Sequence, residues 1–543
     1  MGKNLFVENA LKTSSETLSG NGALKYSTSN NDFVDNFAEA SSYMEPRPYN
    51  EVAKDMQLLW SQNPLDTVKL TIYLRMVTRK TQLSIGLNTE ALETQRGCGL
   101  KHEGLMRMLW LAYNHPNTFE YNLPLYISAG LWKDVFMMLA YDLDTNGWDN
   151  RKLNWNYMFN TILIGLANVN TTNLVKKYLP TIKNNKNCLT KTIKLNTIIG
   201  RWIAGKMFPN IDKFKAYKAY RRLKSSGNAH EWQKMISKQL YENINFDTIA
   251  GKALALLAGS CFLDTHNLTE KYEKWIDSKD SVNFTGYVHE LFKNCPYDIK
   301  DYRKKTINAQ FARLVEEGKG NDSSLIVVRD TSGSMSCAAN GINMSSFNIA
   351  KAMALYFSEF LKGEFADSYI EFADKATLRK WKGATPVDKF LNDDYRSFGS
   401  TNFQSVIDLF IKMKHNGVPE SEFPNGILCL SDGEFNSYHS NDKSNFNTAI
   451  NRLKEVGFSD DYVANFKIIL WDIPNGCYGK TKPTFEDFAD APNFFYLSGY
   501  DASIVSFIFG GNKPEIKAPK TAAELFNTAM NQGLLNKVTI MDS

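Results

Sequence analysis

The chain has no apolar run long enough to cross a bilayer, so the length of about 20 residues that a membrane helix needs is not met. Its seven cysteines stand apart at 98, 188, 261, 295, 337, 429 and 477. None forms a C-x-x-C pair, which removes the usual zinc and dithiol-redox spacings. The odd number, together with an N-terminal segment without an apolar signal core, leads us to expect a reducing, cytoplasmic setting. The histidines at 102, 115, 230, 266, 289, 415 and 439 lack ligand spacing. There is no Walker loop and no nucleophile–base constellation. We therefore expect a binding protein rather than an enzyme, with no small-molecule substrate. Net charge is also small: +5 over 543 residues does not by itself argue for nucleic acid.

What is present divides into two kinds of pattern. From Asp32 to Glu317 the apolar period is helical, with candidates at Tyr49–Trp60, Leu65–Thr78, Gly104–Asn114, Trp132–Asp142, Leu189–Lys206, Ile211–Lys224 and Lys300–Glu317. Only helices and loops are expected there, packed as short pairs in a curved HEAT-like array or as an irregular helical domain. After Ser323 the pattern changes to short β-branched runs alternating with helices. Leu325–Val328, Gly426–Leu430, Phe466–Trp471 and Asn493–Leu497 read as buried strands, and Tyr369–Ala373 with Ala376–Trp381 as a hairpin. Helices are expected at Ser346–Leu361, Val387–Leu391, Asn402–Lys414, Asn445–Val456 and Ala502–Ile508. This is the pattern of a doubly wound α/β sheet. The expected division is an extended arm over 1–31, a helical domain over 32–320, an α/β domain over 321–512, and a linker with a last helix, able to dock back on the helical domain, over 513–543.

Chemistry concentrates where the strands of the second half stop. Leu325–Val328 runs into Arg329-Asp330-Thr331-Ser332-Gly333-Ser334, Gly399 into Ser400-Thr401-Asn402, and Gly426–Leu430 into Ser431-Asp432-Gly433. Each stretch puts oxygen-bearing side chains on a loop beside the sheet. Two carboxylates and three hydroxyls suit Mg²⁺ or another hard divalent cation better than zinc.

Asp330, Ser332, Ser334, Thr401 and Asp432 resemble the five positions of the metal-ion-dependent adhesion site of von Willebrand factor A (vWA) domains. The resemblance covers Ser323 to about Asp501; Ser400 stands where Gly is commoner in that family. It implies that the Ser and Thr hydroxyls bind the metal directly. It also implies that the Asp residues act through water, and that one position stays open for an acidic side chain of a protein partner.

The helical half carries a second resemblance. Gln95-Arg96-Gly97, the helix with Trp110-Leu111, and the turn with Gly130, Trp132 and Asp134 are similar to the TROVE module of Ro ribonucleoproteins and to a related family of unknown function. Lys177 to Pro180, Tyr220-Arg221-Arg222 and Trp232 follow in the same order. The resemblance implies an RNA-binding helical ring or arc. Read as residues alone, Trp132 and Asp134 pack and cap a helix, and Gly97 and Gly99 permit a turn.

Charge points the same way. Lys213, Lys215, Lys218, Arg221, Arg222 and Lys224 share one helical stretch with Tyr217 and Tyr220, opposed there only by Asp212. Basic groups bind phosphate and aromatics stack on unpaired bases. A solvated helix face fits the same residues. A second cluster is Arg75, Arg79, Lys80, Arg96, Lys101 and His102. Three functions remain open: a Ro-like RNA-binding protein, a metal-dependent protein-interaction adaptor, and a structural or packaged phage protein.

Overall fold

The computed structural model describes all residues except 1–4, 43–45, 83–90, 184–189, 228–230, 285, 294, 296–297, 319–324, 340–342, 362–364, 394–397, 438–443, 474–482, 500–519 and 543. The expected helix at 502–508 and most of the expected linker lie outside the described residues. The chain forms two compact units that are not consecutive in sequence. One is Met1–Pro46 with Ala250–Ala529; the other is Arg47–Ile249 with Met530–Ser543.

The first unit is built on a six-stranded sheet of order β10-β9-β8-β5-β6-β7, after two short strands near the N-terminus, β1 (Glu16–Leu18) and β2 (Leu24–Tyr26), and two in the other unit, β3 (Val77–Gln82) and β4 (Ala91–Cys98). Its strands are β5 (Leu325–Asp330), β6 (Ser368–Phe372), β7 (Ala376–Lys380), β8 (Gly426–Ser431), β9 (Lys467–Asp472) and β10 (Phe494–Ser498). Five run parallel, and β7 closes one edge as the antiparallel arm of the expected hairpin. β5 and β8 are buried along their whole length, which is why they read as unbroken apolar runs rather than alternating ones. The Ser346–Ser358, Gln404–His415 and Asn445–Glu455 helices cover the sheet. Ser345 and Ser444 cap two of them, accepting from Asn348 N and Asn447 N at 3.3 Å. The Asp460–Asn465 helix is an addition to the expected set.

Helices from Gly251 to Glu317 belong to this unit by their packing. Phe292 stacks on Phe390 at 4.4 Å and meets Phe311 at 5.9 Å, so one apolar core runs from these helices into the sheet. The N-terminal arm packs here too. Its Asp32–Ser42 helix lies against β10, where Ser498 Oγ donates to Ala38 O at 2.9 Å. The expected arm over 1–31 is thus a helix and a hairpin rather than an extended wrap over the helical half, and Asp32–Ser42, expected in the helical domain, packs in the sheet unit.

The second unit is an array of short helices that pack on their chain neighbours, beginning with Tyr49–Gln62, Pro64–Arg75, Lys101–Asn114 and Pro116–Ala129. Local chemistry sets their starts: Asn63 accepts from Asp66 N at 3.1 Å ahead of Pro64, and Asn154 accepts from Tyr157 N at 3.1 Å ahead of the Trp155–Ala167 helix. The expectation of helices and loops alone is corrected by β3 and β4, an antiparallel pair with Val77 opposite Cys98. Neither strand has an apolar face of period two, so nothing in its pattern separates it from a loop. Gly97 is required in β4, because a Cβ there would come within 2.5 Å of Tyr73 O.

Buried ion pairs hold this array together. Arg75 is buried and donates from Nε to Asp134 Oδ2 at 2.8 Å, so it leaves the second basic cluster. Asp134 also accepts from Leu131 N at 3.1 Å, the capping role read from the sequence. Trp132 packs so closely on Gly165 that a Cβ there would lie 2.2 Å from Cη2. Glu103 bridges Arg47 and Arg107 at 2.7 Å each; against its burial, the two guanidiniums hold its carboxyl below the usual range. Of the expected C-terminal tail, only Met530–Ser543 belongs to this unit: Asn122 Nδ2 donates to Thr539 O at 2.6 Å, and Asp542 accepts from Thr118 N at 2.8 Å. The last helix, Ala522–Met530, packs in the sheet unit instead, where Leu525 joins the core.

Candidate metal centre and basic helix

The strand order makes the site. β5 has β6 on one side and β8 on the other, so the chain leaves β5 in opposite directions at this point of the sheet. In an open α/β sheet such a switch point opens a crevice at the carboxyl ends of the strands. Asp330 is the last residue of β5, and Asp432 follows the last residue of β8. Successive residues of a strand face opposite ways. Arg329 accordingly turns from the loop into a buried network with Asp393 and Glu371, stacked near Tyr369 at 4.8 Å.

Asp330 is fully buried. It accepts from Ser431 Oγ at 2.5 Å and from Ser332 N at 2.7 Å. Ser332 Oγ and Ser334 Oγ lie 3.2 Å apart at the start of a short 3₁₀ turn, Gly333–Ser336. Gly333 N donates to Gly399 O at 3.1 Å, tying the first loop to the one that carries Thr401. Gly399 has φ +93°, a conformation that suits glycine. Thr401 is 1 % exposed, and its hydroxyl makes no hydrogen bond to the described residues. Asn436 joins Thr401 to the third loop, donating from N to Thr401 O at 2.9 Å and accepting from Thr401 N at 3.2 Å through Oδ1.

Burial pushes the Asp330 carboxyl up to about 7, and the negative charge of Asp432 pushes the same way. A buried carboxyl whose ionisation is opposed by the charge of a second carboxylate is a place where a cation lowers the free energy. The donor set fits a hard divalent ion: it offers carboxylate and hydroxyl oxygens, and neither imidazole nor thiolate. No group of three or more His, Cys, Asp or Glu side chains placed to hold a metal occurs among the described residues, so a metal here depends on the hydroxyls.

In the helical unit, the expected basic stretch forms the Lys213–Ser226 helix, capped by Asp212, whose Oδ1 accepts from Phe214 N at 2.9 Å. Lys213, Lys215, Lys218 and Arg222 are exposed, while Tyr217 and Arg221 are half-buried. Two members of the stretch turn inward. Tyr220 is buried and donates to Pro180 O at 2.8 Å. Lys224 donates to Lys177 O at 3.0 Å and to Leu179 O at 2.5 Å, with its pKa lowered by burial, so it ties down the end of the Thr172–Tyr178 helix.

Residues 324–538 match the family model described as a domain of unknown function, DUF7788. Among curated proteins nothing matches. Among solved structures, the chain is similar to the Ro (RSR) protein of Deinococcus radiodurans, with 12 % identity and a TM-score of 0.46. That similarity covers 94 % of this chain and 100 % of the other.

Sequence reading missed three features of these sites. Phe214 is 69 % exposed beside Lys213, whose ammonium lies 5.3 Å from its ring. Arg201 comes from the preceding helix to within 5.8 Å of the Tyr217 ring. Ser431, expected in the loop after Gly426–Leu430 and not among the five candidate ligands, is the last residue of β8 and a direct partner of Asp330. Of the second basic cluster, His102 Nε2 donates to Arg47 O at 2.9 Å, and the side chains of Arg79, Lys80 and Arg96 lie outside the described residues. His230 and His439 do too. Cys261, Cys295 and Cys429 are free thiols, and Cys337 is disulfide-bonded. No helix among the described residues is long and apolar enough to cross a membrane.

Proposed function

We propose that this protein is a non-enzymatic binding protein whose α/β unit is a vWA-type domain. Asp330, Ser332, Ser334, Thr401 and Asp432 would hold Mg²⁺ or another hard divalent cation and present it to an acidic side chain of a partner protein. The observation that carries this reading is the convergence of three oxygen-bearing loops at the switch point, around a carboxylate, Asp330, that burial and Asp432 keep from ionising freely. When bound, the ion would supply positive charge to the crevice and an open coordination position. The chain's own part is to orient Asp330 through Ser431 and Ser332 N, and Thr401 through Asn436. Calorimetry with Mg²⁺ and Mn²⁺ on wild type and Asp330→Ala tests it. Binding heat in the wild type alone supports the site; equal heats in both proteins sink it.

A second reading, Ro-like RNA binding by the helical unit, is favoured by the exposed row Lys213, Lys215, Lys218 and Arg222 with Tyr217 and Phe214 beside it. Exposed cations with open aromatic rings suit phosphates and unpaired bases. Arg221→Ala with Arg222→Ala should weaken binding alike across RNA sequences. It should also flatten the salt slope by about one unit per lost phosphate contact. RNA binding equal to wild type, or none in the wild type at low salt, leaves the adaptor reading alone.

A further inference from the structure

The loop that carries Asp432 is held from outside by the N-terminal arm. The turn between β1 and β2 runs along Glu434 to Ser437. Ser19 Oγ donates to Phe435 O at 2.7 Å and accepts from Ala23 N at 2.9 Å, so one buried hydroxyl both closes the turn and docks it. Gly20 N donates to the Glu434 carboxylate, and Asn21 Nδ2 to Glu434 O at 2.5 Å. Ser437 N donates to Asn21 O at 3.3 Å, and Gly22 forms a β-bridge with Asn436. Gly22 has φ +81°, so the turn depends on glycine there. One residue into β2, Lys25 is 3 % exposed, its ammonium packed against Gly433 and 5.7 Å from the Phe435 ring.

The inner edge of the same loop holds two of the five candidate ligands. Asp432 precedes Gly433 directly, and Thr401 is hydrogen-bonded in both directions to Asn436. Hairpin, loop and ligands therefore form one connected chain of hydrogen bonds. Ordering a loop costs backbone entropy. A docked hairpin offsets that cost before any ion arrives.

We propose that the β1–β2 hairpin is a working part of the metal centre, with Ser19 and Asn21 as positioning residues that set Asp432 and Thr401 for the ion. This rests on the metal reading given above. Ion binding and hairpin docking then reinforce each other by the same factor, because linkage is reciprocal. Full-length protein carrying Ser19→Ala with Asn21→Ala should bind Mg²⁺ about 10-fold more weakly by calorimetry, within the usual range of coupling between sites. Lys12→Ala, which removes the arm's ion pair with Asp487 at 3.3 Å, should bind as wild type does. In the wild type, Mg²⁺ should slow hydrogen exchange at Gly22 and Ala23, whose amides donate to Ser19 O and Ser19 Oγ. The exchange measurement decides the matter even if the double variant folds poorly. Unchanged exchange, or wild-type affinity in a folded double variant, overturns the proposal while the metal site stands. A wild type that binds no Mg²⁺ removes the site and the proposal together.

Discussion

The ion pairs of the helical unit and the switch point of the sheet treat charge in opposite ways. In the helical unit, buried guanidiniums meet carboxylates at hydrogen-bond distance: Arg75 with Asp134, and Arg47 and Arg107 with Glu103. At the sheet's switch point, Asp330 is equally buried, but its strongest electrostatic neighbour is another carboxylate, Asp432. In the first arrangement each buried guanidinium has a carboxylate counter-ion. The second gains from a ligand of positive charge. The comparison teaches that burial alone does not mark function; burial with like charges does, since a structural pair neutralises itself.

The largest expected effect breaks the first side of this comparison. Asp134→Ala leaves Arg75 buried without its counter-ion and should cost about 3–5 kcal/mol in urea unfolding. Asp330→Asn removes a buried, repelled charge and should not destabilise the metal-free protein at pH 8. A loss comparable to that of Asp134→Ala would show that Asp330 is a structural ion after all.

Next comes removal of the metal. Binding to the folded state alone stabilises by RT ln(1 + [L]/Kd), about 2.7 kcal/mol at a hundredfold excess over Kd. Mg²⁺ should raise the melting temperature of the wild type, chelation should reverse the rise, and Asp330→Asn should show neither change.

The pH dependence sharpens the contrast. A carboxyl raised from 3.8 to about 7 keeps its proton longer in the folded protein than in the unfolded chain. The folded state then binds more protons between those values, so stability falls as pH rises through that window. In chelator, Asp330 by itself should account for a loss of about 2 kcal/mol between pH 5 and pH 7. Buried Asp472 and Glu486, each pushed up to about 7 by burial first, add in the same direction. Asp330→Asn or saturating Mg²⁺ should make the curve shallower by Asp330's share, and an identical slope in all three conditions would assign it to the other two acids.

The smallest effect separates inward from outward cations on one helix. Lys224→Met should cost about 1 kcal/mol, from two hydrogen bonds to carbonyls, and leave any RNA affinity unchanged. Lys218→Met should do the reverse.

Much of this was legible in the chain. β5 and β8 stand in sequence as apolar runs because both of their faces are covered, and the acidic residues at their ends announce the loops. The β3–β4 pair was not legible, since a polar ribbon has no apolar period to read. Lys224 and Tyr220 look like their exposed neighbours in sequence; only packing against the 177–180 segment turns them inward.

Sequence by itself determined the α/β class, the helix caps at Asn63, Asn154 and Asp212, and the oxygen chemistry of the three loops, because these depend on residue type and local period. Tertiary structure alone decided the rest. It put β8 rather than β6 on the side of β5 that opens the switch point beside Asp330. It merged the helices after Gly251 with the sheet through Phe292 and Phe311. It also brought Ser19 across 416 positions of chain to Phe435. Contacts between residues so far apart in sequence leave no local signature; they arise only when apolar faces and backbone hydrogen bonds are satisfied together.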